Sequence, residues 1–244
     1  MATVKLGPAI LDARGKIAGV VFSKNKSSHY IRASKKPVNP RGVNSKFARD
    51  PVNDGQSFIQ AALAQLTVRW SQTVTALQRT GWEVYASNVT VLNKLGEAIK
   101  LSGFNHYIRS NVIAFSSYGV AYDAPPTIFE LAEQDPAVRV EPDATTQQVA
   151  LIFDDTMEWV DENGATLWIW EGMPQNPQRT FFGGPYLGLK DKAGSSGSPK
   201  SSPESFSTIH TVSEGQRVWY RFRIQRADGR ISEPFYANNL VVAS

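Results

Sequence analysis

The hydrophobic period of this chain changes from helical to alternating at Tyr118-Gly119-Val120-Ala121-Tyr122-Asp123-Ala124-Pro125-Pro126. From residue 55 to that point apolar residues recur at three- and four-residue steps; after it they alternate. The first pattern can be buried only as a stripe on a helix, and the second only as one face of a strand. One chain of 244 residues must therefore hold a helical section and a β section, with two prolines stiffening the joint. The fold class expected is α+β multidomain. Residues 1–50 form an extended basic arm with a β-hairpin, 51–120 a helical domain, and 125–244 an antiparallel β-sandwich.

In the arm, Ile17–Ser23 and His29–Ala33 are β-prone runs flanking a polar connection, Lys24 to Ser28, suited to a hairpin. Pro37 and Pro40 then oppose helix. A lone two-stranded hairpin is marginal in water and needs a surface to lie on. In the helical section, Phe58, Ile59, Ala62, Leu63, Leu66 and Trp70 predict one amphipathic stripe. Thr73 or Thr75 is expected to cap a second helix carrying Leu77, Trp82 and Tyr85. Asn105 is expected to cap a third with Ile108, Val112 and Phe115 on one face. Val89 to Leu101 reads as a loop or short strand. Beyond the joint, strands are expected at Gln148–Phe153, Thr166–Trp170, Phe206–Thr211, Val218–Gln225 and Ile231–Val242. Asp161-Glu162-Asn163-Gly164 and Ala227-Asp228-Gly229 supply the turns. Ala193 to Ser205, dominated by Gly, Ser and Pro, predicts an exposed flexible loop.

Charge divides the chain at the same place. Residues 1–120 hold 16 Lys+Arg against 5 Asp+Glu, whereas 121–244 hold 10 against 17. The front of the chain thus suits an anionic partner, either nucleic acid or an acidic protein surface, and basic front can attract acidic back between copies. A solvated lysine-rich arm is the simpler account of the same charge. No signal peptide and no transmembrane run is visible, so synthesis in a cytoplasm without membrane attachment is expected.

Chemistry is sparse. The chain has no cysteine, which removes disulfides, thiol nucleophiles and Cys-containing metal sites. His29, His106 and His210 lie in three separate segments without the i, i+4 pairing used for zinc. Gly15-Lys16 lacks phosphate-loop spacing, and no strand leads into a Gly-x-Ser-x-Gly elbow. Asp154, Asp155, Glu158, Asp161 and Glu162 have neither calcium-loop alternation nor an evident catalytic pairing; a strand end followed by a turn accounts for them. Trp70 and Trp82 are expected core anchors. Trp168 and Trp170 share one strand face opposite Ile169, and such a pair either packs or, if exposed, stacks sugars or bases. No catalytic residue, metal or cofactor is expected.

Two resemblances add to this reading. Tyr220-Arg221-Phe222-Arg223-Ile224, followed by Asp228-Gly229-Arg230-Ile231-Ser232-Glu233-Pro234, resembles the F strand, F–G turn and early G strand of fibronectin type III domains, with Gly229, Ser232 and Pro234 at matching positions. That resemblance implies a fibronectin type III/Ig-like sandwich, from which the long Gly183–Ser207 region departs. Gly15, Gly19, Tyr30-Ile31-Arg32, Pro40, Trp70, Leu77-Gln78-Arg79, Trp82 and Ser102-Gly103-Phe104-Asn105 resemble uncharacterised proteins of bacteriophages and phage-like bacterial loci. This second resemblance implies a non-enzymatic component of a virion, capsid-associated or tail accessory, that contacts other virion subunits and itself. Its candidate assembly or anion contacts are Lys24, Lys26, Tyr30, Arg32, Lys35, Lys36 and Arg41. The alternative is a nucleic-acid-binding protein using the same cations on phosphates, with Tyr30 stacking. A carbohydrate-binding or hydrolysing module resting on Trp168, Trp170 and the nearby acids is the third reading.

Overall fold

The structure, a computed structural model, describes residues 2–4, 15–17, 20–24, 29–33, 55–93 and 95–243. It is mixed α/β, with three helices and several antiparallel sheets among those residues. The chain divides into two compact units, one of residues 1–108 and 112–124, the other of 109–111 and 125–244.

The first unit opens with β1 (Ala2–Val4), β2 (Gly15–Ile17), β3 (Val20–Lys24) and β4 (His29–Ala33) in one antiparallel sheet of order β1-β4-β3-β2. The β3–β4 pairing is that of the expected hairpin, but two further short strands extend it on both sides. Three helices follow: α1 (Gly55–Gln72), α2 (Ala76–Asn88) and α3 (Gly103–Tyr118). Between the last two, β5 (Val91–Leu92) and β6 (Ala98–Ile99) form a minimal ladder. Thr75 is the N-cap of α2: its hydroxyl accepts from the Gln78 N–H while the Gln78 side chain accepts from the Thr75 N–H, a reciprocal capping box. Ser102, not Asn105, caps α3, its hydroxyl accepting from the Asn105 N–H, which starts the helix earlier than expected.

An aromatic cluster holds the helices together. Trp82, Tyr85 and Tyr107 are fully buried. Tyr107 meets Trp82 edge-on at 5.7 Å and Trp70 at 5.1 Å, and Tyr85 meets His106 edge-on at 5.2 Å. Asp123 closes this cluster. Its carboxylate accepts from Arg69 Nε at 2.8 Å and Nη2 at 2.6 Å and from the Tyr107 hydroxyl at 3.1 Å, while its backbone carbonyl accepts from Trp82 Nε1 at 3.0 Å. The expected helical stripes are only partly buried. On α1, Ala62 and Leu66 are inside, whereas Phe58, Ile59 and Leu63 are exposed; on α2, Leu77 is 82% exposed. The buried face of α3 runs through His106, Tyr107, Ile113 and Ala114, and the expected Ile108, Val112 and Phe115 are half-buried beside it.

The second unit contains β7 (Arg139–Asp143), β8 (Gln148–Ile152), β9 (Thr166–Gly172), β10 (Tyr186–Ala193), β11 (Glu204–Ser207), β12 (Arg217–Gln225) and β13 (Phe235–Leu240). They form two antiparallel sheets, β11-β8-β7 and β10-β9-β12-β13. Val140, Val149 and Leu151 from the first share one core with Leu167, Ile169, Val218, Tyr220, Phe222 and Ile224 from the second, an arrangement compatible with a β-sandwich. The two sheets also meet at an edge, where the Val242 carbonyl accepts from Ala144 and the Val242 N–H donates to Pro142.

Two strand expectations and one loop expectation are corrected. The Phe206–Thr211 strand ends at Ser207, because the buried Glu171 carboxylate takes the backbone N–H groups of Ile209 and His210, at 3.0 and 3.1 Å. The Ile231–Val242 strand starts only at Phe235. Residues before it are held aside by Ser232, whose hydroxyl accepts from the Ile224 N–H and whose own N–H donates to the Ile224 carbonyl. The Ala193–Ser205 loop is anchored. Ser195 N–H donates to the Val160 carbonyl, Ser196 and Asn163 exchange two hydrogen bonds, and the Ser202 hydroxyl accepts from the Phe153 N–H. Gly194 is so close to the Trp159 carbonyl that a Cβ there would lie 1.9 Å from the oxygen.

Three outcomes follow for stability. Gly194→Ala is expected to cost about 1–3 kcal/mol by overpacking, while Gly197→Ala, with open space around it, changes little; urea denaturation of both checks the anchored loop. Asp123→Ala is expected to cost about 1–3 kcal/mol, since it leaves the buried Tyr107 hydroxyl and the Arg69 guanidinium without their acceptor. The third concerns Glu171, where burial raises the carboxyl pKa above its ordinary 4.5 despite the two N–H donors. A raised folded-state pKa contributes stability at low pH that is lost as pH rises through it. Glu171→Gln should therefore gain stability relative to wild type as pH rises above the ordinary carboxylate range, read from paired urea curves across pH.

Candidate functional site

Of the residues nominated in the arm, Lys26, Lys35, Lys36 and Arg41 lie outside the described residues. Lys24 ends β3 and pairs with His29; Tyr30 and Arg32 stand on β4 opposite Ser23 and Val21. Alternation thus puts positions 30 and 32 on one face and position 24 on the other. Tyr30 is half-buried.

Helix α1 presents the first surface suited to a partner. Phe58 is 55% and Val68 52% exposed, with Ile59 and Leu63 also open to solvent. Arg69 is the only charged residue in its 18-residue sequence. Beside it, Ala64, Gln65, Val68, Arg69, Thr73 and Phe115 line an open groove of about 380 Å³. An exposed apolar helix with one charge contrasts with the charged faces that keep solvated helices in water.

The second surface lies on the β10-β9-β12-β13 sheet, on the face away from the core. Strict alternation along β12 sends Val218, Tyr220, Phe222 and Ile224 inward and leaves Trp219, Arg221 and Arg223 on the opposite face. Cross-strand pairing then brings Arg221 opposite Trp170 on one side and Tyr236 on the other. The Arg221 guanidinium carbon sits 4.3 Å over the Trp170 ring and 5.4 Å from the Tyr186 ring. Tyr186 and Tyr236 lie 5.8 Å apart, ring centre to ring centre. Phe182 stacks on Trp219 at 5.5 Å and meets Tyr186 edge-on.

Burial lowers the Arg221 pKa from its ordinary value, against the opposing effect of the two tyrosines. Arg223 is lowered further, to about 10, by burial and then by neighbouring guanidinium charge. Arg221 Nε is buried without a hydrogen-bond partner among the described residues. Trp168, which shares this face, is itself buried and donates its indole N–H to Gln225 at 2.9 Å. The Trp168–Trp170 pair is therefore no open platform: one ring is inside and the other lies under a guanidinium. Arg221, Tyr186 and Tyr236 were not singled out from sequence as site residues. The legible signal for them was Arg-x-Arg on the polar face of a strand whose other face is wholly apolar.

The acidic segment is structurally occupied. Asp154 accepts from the Thr156 N–H and hydroxyl, which lowers its pKa, and Asp155 accepts from the Ser202 N–H. Glu158 and Glu162 both receive Arg226. Among the described residues no group of three or more His, Asp or Glu could hold a metal ion, and no helix is long and apolar enough to cross a membrane. Comparison with known proteins finds no family model and no curated protein that matches this chain.

Proposed function

We propose that this chain is a non-enzymatic structural component of a bacteriophage virion, a capsid-associated or tail accessory protein. It assembles through its basic front and exposes a fibronectin type III-like β-sandwich. The observation that carries the assembly reading is α1, whose Phe58, Ile59, Leu63 and Val68 are exposed on a helix with a single charge. Apolar side chains at that density gain stability only when another surface covers them. The bacteriophage setting rests on the resemblance of the front half. The fibronectin-like reading is supported by Ser232, which ties the segment after the β12 turn back to Ile224, and by Gly229, whose φ of 87° closes that turn.

A nucleic-acid reading draws on a different observation, the 11 Lys+Arg set against two acids in residues 1–50. The arm interleaves those cations with strand-forming Val20, Val21, Phe22, Tyr30 and Ile31, which phosphate contacts alone do not require. The carbohydrate reading loses Trp168 to burial.

Removing residues 1–42 is expected to abolish incorporation into particles or self-association, read by sedimentation and by particle composition. The intact chain should bind random DNA only weakly at physiological salt, with a dissociation constant above about 1 μM. Tight DNA binding with a steep salt slope, together with normal assembly of the truncated chain, would move the assignment to nucleic-acid binding.

A further inference from the structure

We propose that the outer face of the β10-β9-β12-β13 sheet binds an acidic polysaccharide carrying sulfate or phosphate esters, with Arg179 and Arg217 as the contacting cations. Such binding is independent of assembly through the front of the chain and does not use Trp168 or Trp170 as a platform. Residues 121–244 hold 10 Lys+Arg against 17 Asp+Glu, so a cation there has acids to choose from. Lys192, Lys200, Arg226 and Arg230 each take one. Arg179, Arg217, Arg221 and Arg223 take none among the described residues, and all four gather at this one face. Strict alternation along β12 places Arg217, Arg221 and Arg223 there beside Trp219. Arg179 reaches it from the segment between β9 and β10, over the Phe182 ring that stacks on Trp219. The guanidinium–ring contacts found among the described residues all lie on this face.

Arg179 and Arg217 are held in the same way. Each lies over a ring, 5.3 Å from the Phe182 centre and 6.0 Å from the Trp219 centre. Each donates Nε to a backbone carbonyl, that of Phe181 at 2.8 Å and that of Pro177 at 3.2 Å. Each donates Nη1 to a side-chain amide oxygen, of Gln175 and of Asn238. Nη2 of each makes no hydrogen bond among the described residues. Arg179 is exposed and Arg217 half-buried. Neutral acceptors thus fix both guanidinium groups without cancelling their charge. Arg221 and Arg223 stand further along β12, half-buried and also without a carboxylate. The Glu233 charge that acts on Arg223 is already held by Arg109 at 3.4 Å. Partly buried charge is screened less than exposed charge, so these two add to the positive potential of the face. Sulfate and phosphate oxygens can take the remaining N–H groups with little further ordering of the arginines.

The same face favours a saccharide over nucleic acid. A single strand of nucleic acid stacks successive bases on a row of open rings beside a continuous cationic groove. Here Phe182, Trp219 and Trp170 are covered by guanidinium groups or by each other. Tyr236 on β13 and Phe181 between β9 and β10, 55% and 75% exposed, are open rings on different elements, each suited to the apolar face of one sugar. The contacting cations sit on two different rings of a stacked pair, so the face offers spaced charges and not a track. Asn238, Asn176 and Gln178 stand exposed beside them, and their amides both donate to and accept from hydroxyl groups. Outside this face the excess of acids opposes the dense charge of a nucleic-acid backbone more than the sparser charge of an esterified saccharide.

The test is equilibrium binding of the full chain to a fluorescent dextran sulfate oligosaccharide at physiological salt. Neutral dextran of equal length and a single DNA strand of matched charge are the other probes. Arg179→Gln/Arg217→Gln should weaken dextran sulfate binding by about tenfold or more, through the lost charge-assisted hydrogen bonds. Tyr236→Ala should weaken it by about threefold, through the lost ring face. Lys35→Gln/Lys36→Gln, in the basic front, should leave it unchanged, and neutral dextran should not bind. Arg179 and Tyr236 are exposed, so Arg179→Gln alone and Tyr236→Ala still report if the double variant folds poorly. No binding of dextran sulfate, or binding that the arginine substitutions leave intact and the lysine pair abolishes, overturns the site. Equal binding of neutral dextran overturns the role of the charge. Tighter binding of the DNA strand, lost with the same arginines, overturns the saccharide assignment in favour of nucleic acid. The assembly reading stands or falls separately, on the removal of residues 1–42.

Discussion

The register between β9 and β12 is the constraint on which the second unit depends. Phe222 opposite Ile169 and Ile224 opposite Leu167 fill the core, while Arg221 opposite Trp170 and Arg223 opposite Trp168 occupy the other face. A slip of one residue would exchange the two sets, driving guanidinium groups into the apolar interior. The core thus enforces the surface: the residues that cannot tolerate water fix where the cations stand. Glu171 and Tyr220 form the next pair along this ladder, and from there Glu171 reaches the backbone N–H groups of Ile209 and His210. One pairing therefore sets the core, the arginine face and the path of the chain after β11.

In the first unit Asp123 has a comparable place. It joins Arg69 of α1, Trp82 of α2 and Tyr107 of α3 through one side chain and one carbonyl. Such a hub lets a small helical unit hold together with little apolar burial from α1, which contributes Ala62 and Leu66 as its fully buried apolar residues. Phe58, Ile59, Leu63 and Val68 of that helix stay exposed.

Periodicity made the helices and the central strands legible, and local side-chain chemistry fixed what it did not. Thr75 was readable as a cap because Gln78 stands three residues on. Ser102 was missed because Gly103 after it argues against a helix, although a Cβ at 103 would collide with the Glu83 and Trp82 backbone. Strand β7 was hidden by Pro142 and its charged neighbours, which an edge strand tolerates. Strand β10, also an edge, was masked by Gly188 and by Lys190, Asp191 and Lys192, charges of the kind that guard an open edge. The Gly-Ser-Pro composition of the 193–205 loop spoke only of local freedom; the hydrogen bonds that restrain it come from Phe153, Val160 and Asn163, distant in sequence.

The candidate surfaces were the least legible, and for one reason. Both consist of residues whose pattern is that of ordinary structure and whose exposure alone distinguishes them. The α1 stripe is more apolar than the buried face of α3, which includes His106, Ser110 and Asn111, and the Arg221–Trp170 pair exists only through cross-strand register. Half-burying a guanidinium without an acid is costly in isolation, because desolvation weakens the charge that would otherwise be hydrated. Trp170 and Tyr186 offset part of that cost through their ring faces but cannot satisfy the Nε hydrogen. A strand that alternates arginine with core residues therefore carries an unmet electrostatic demand on its outer face.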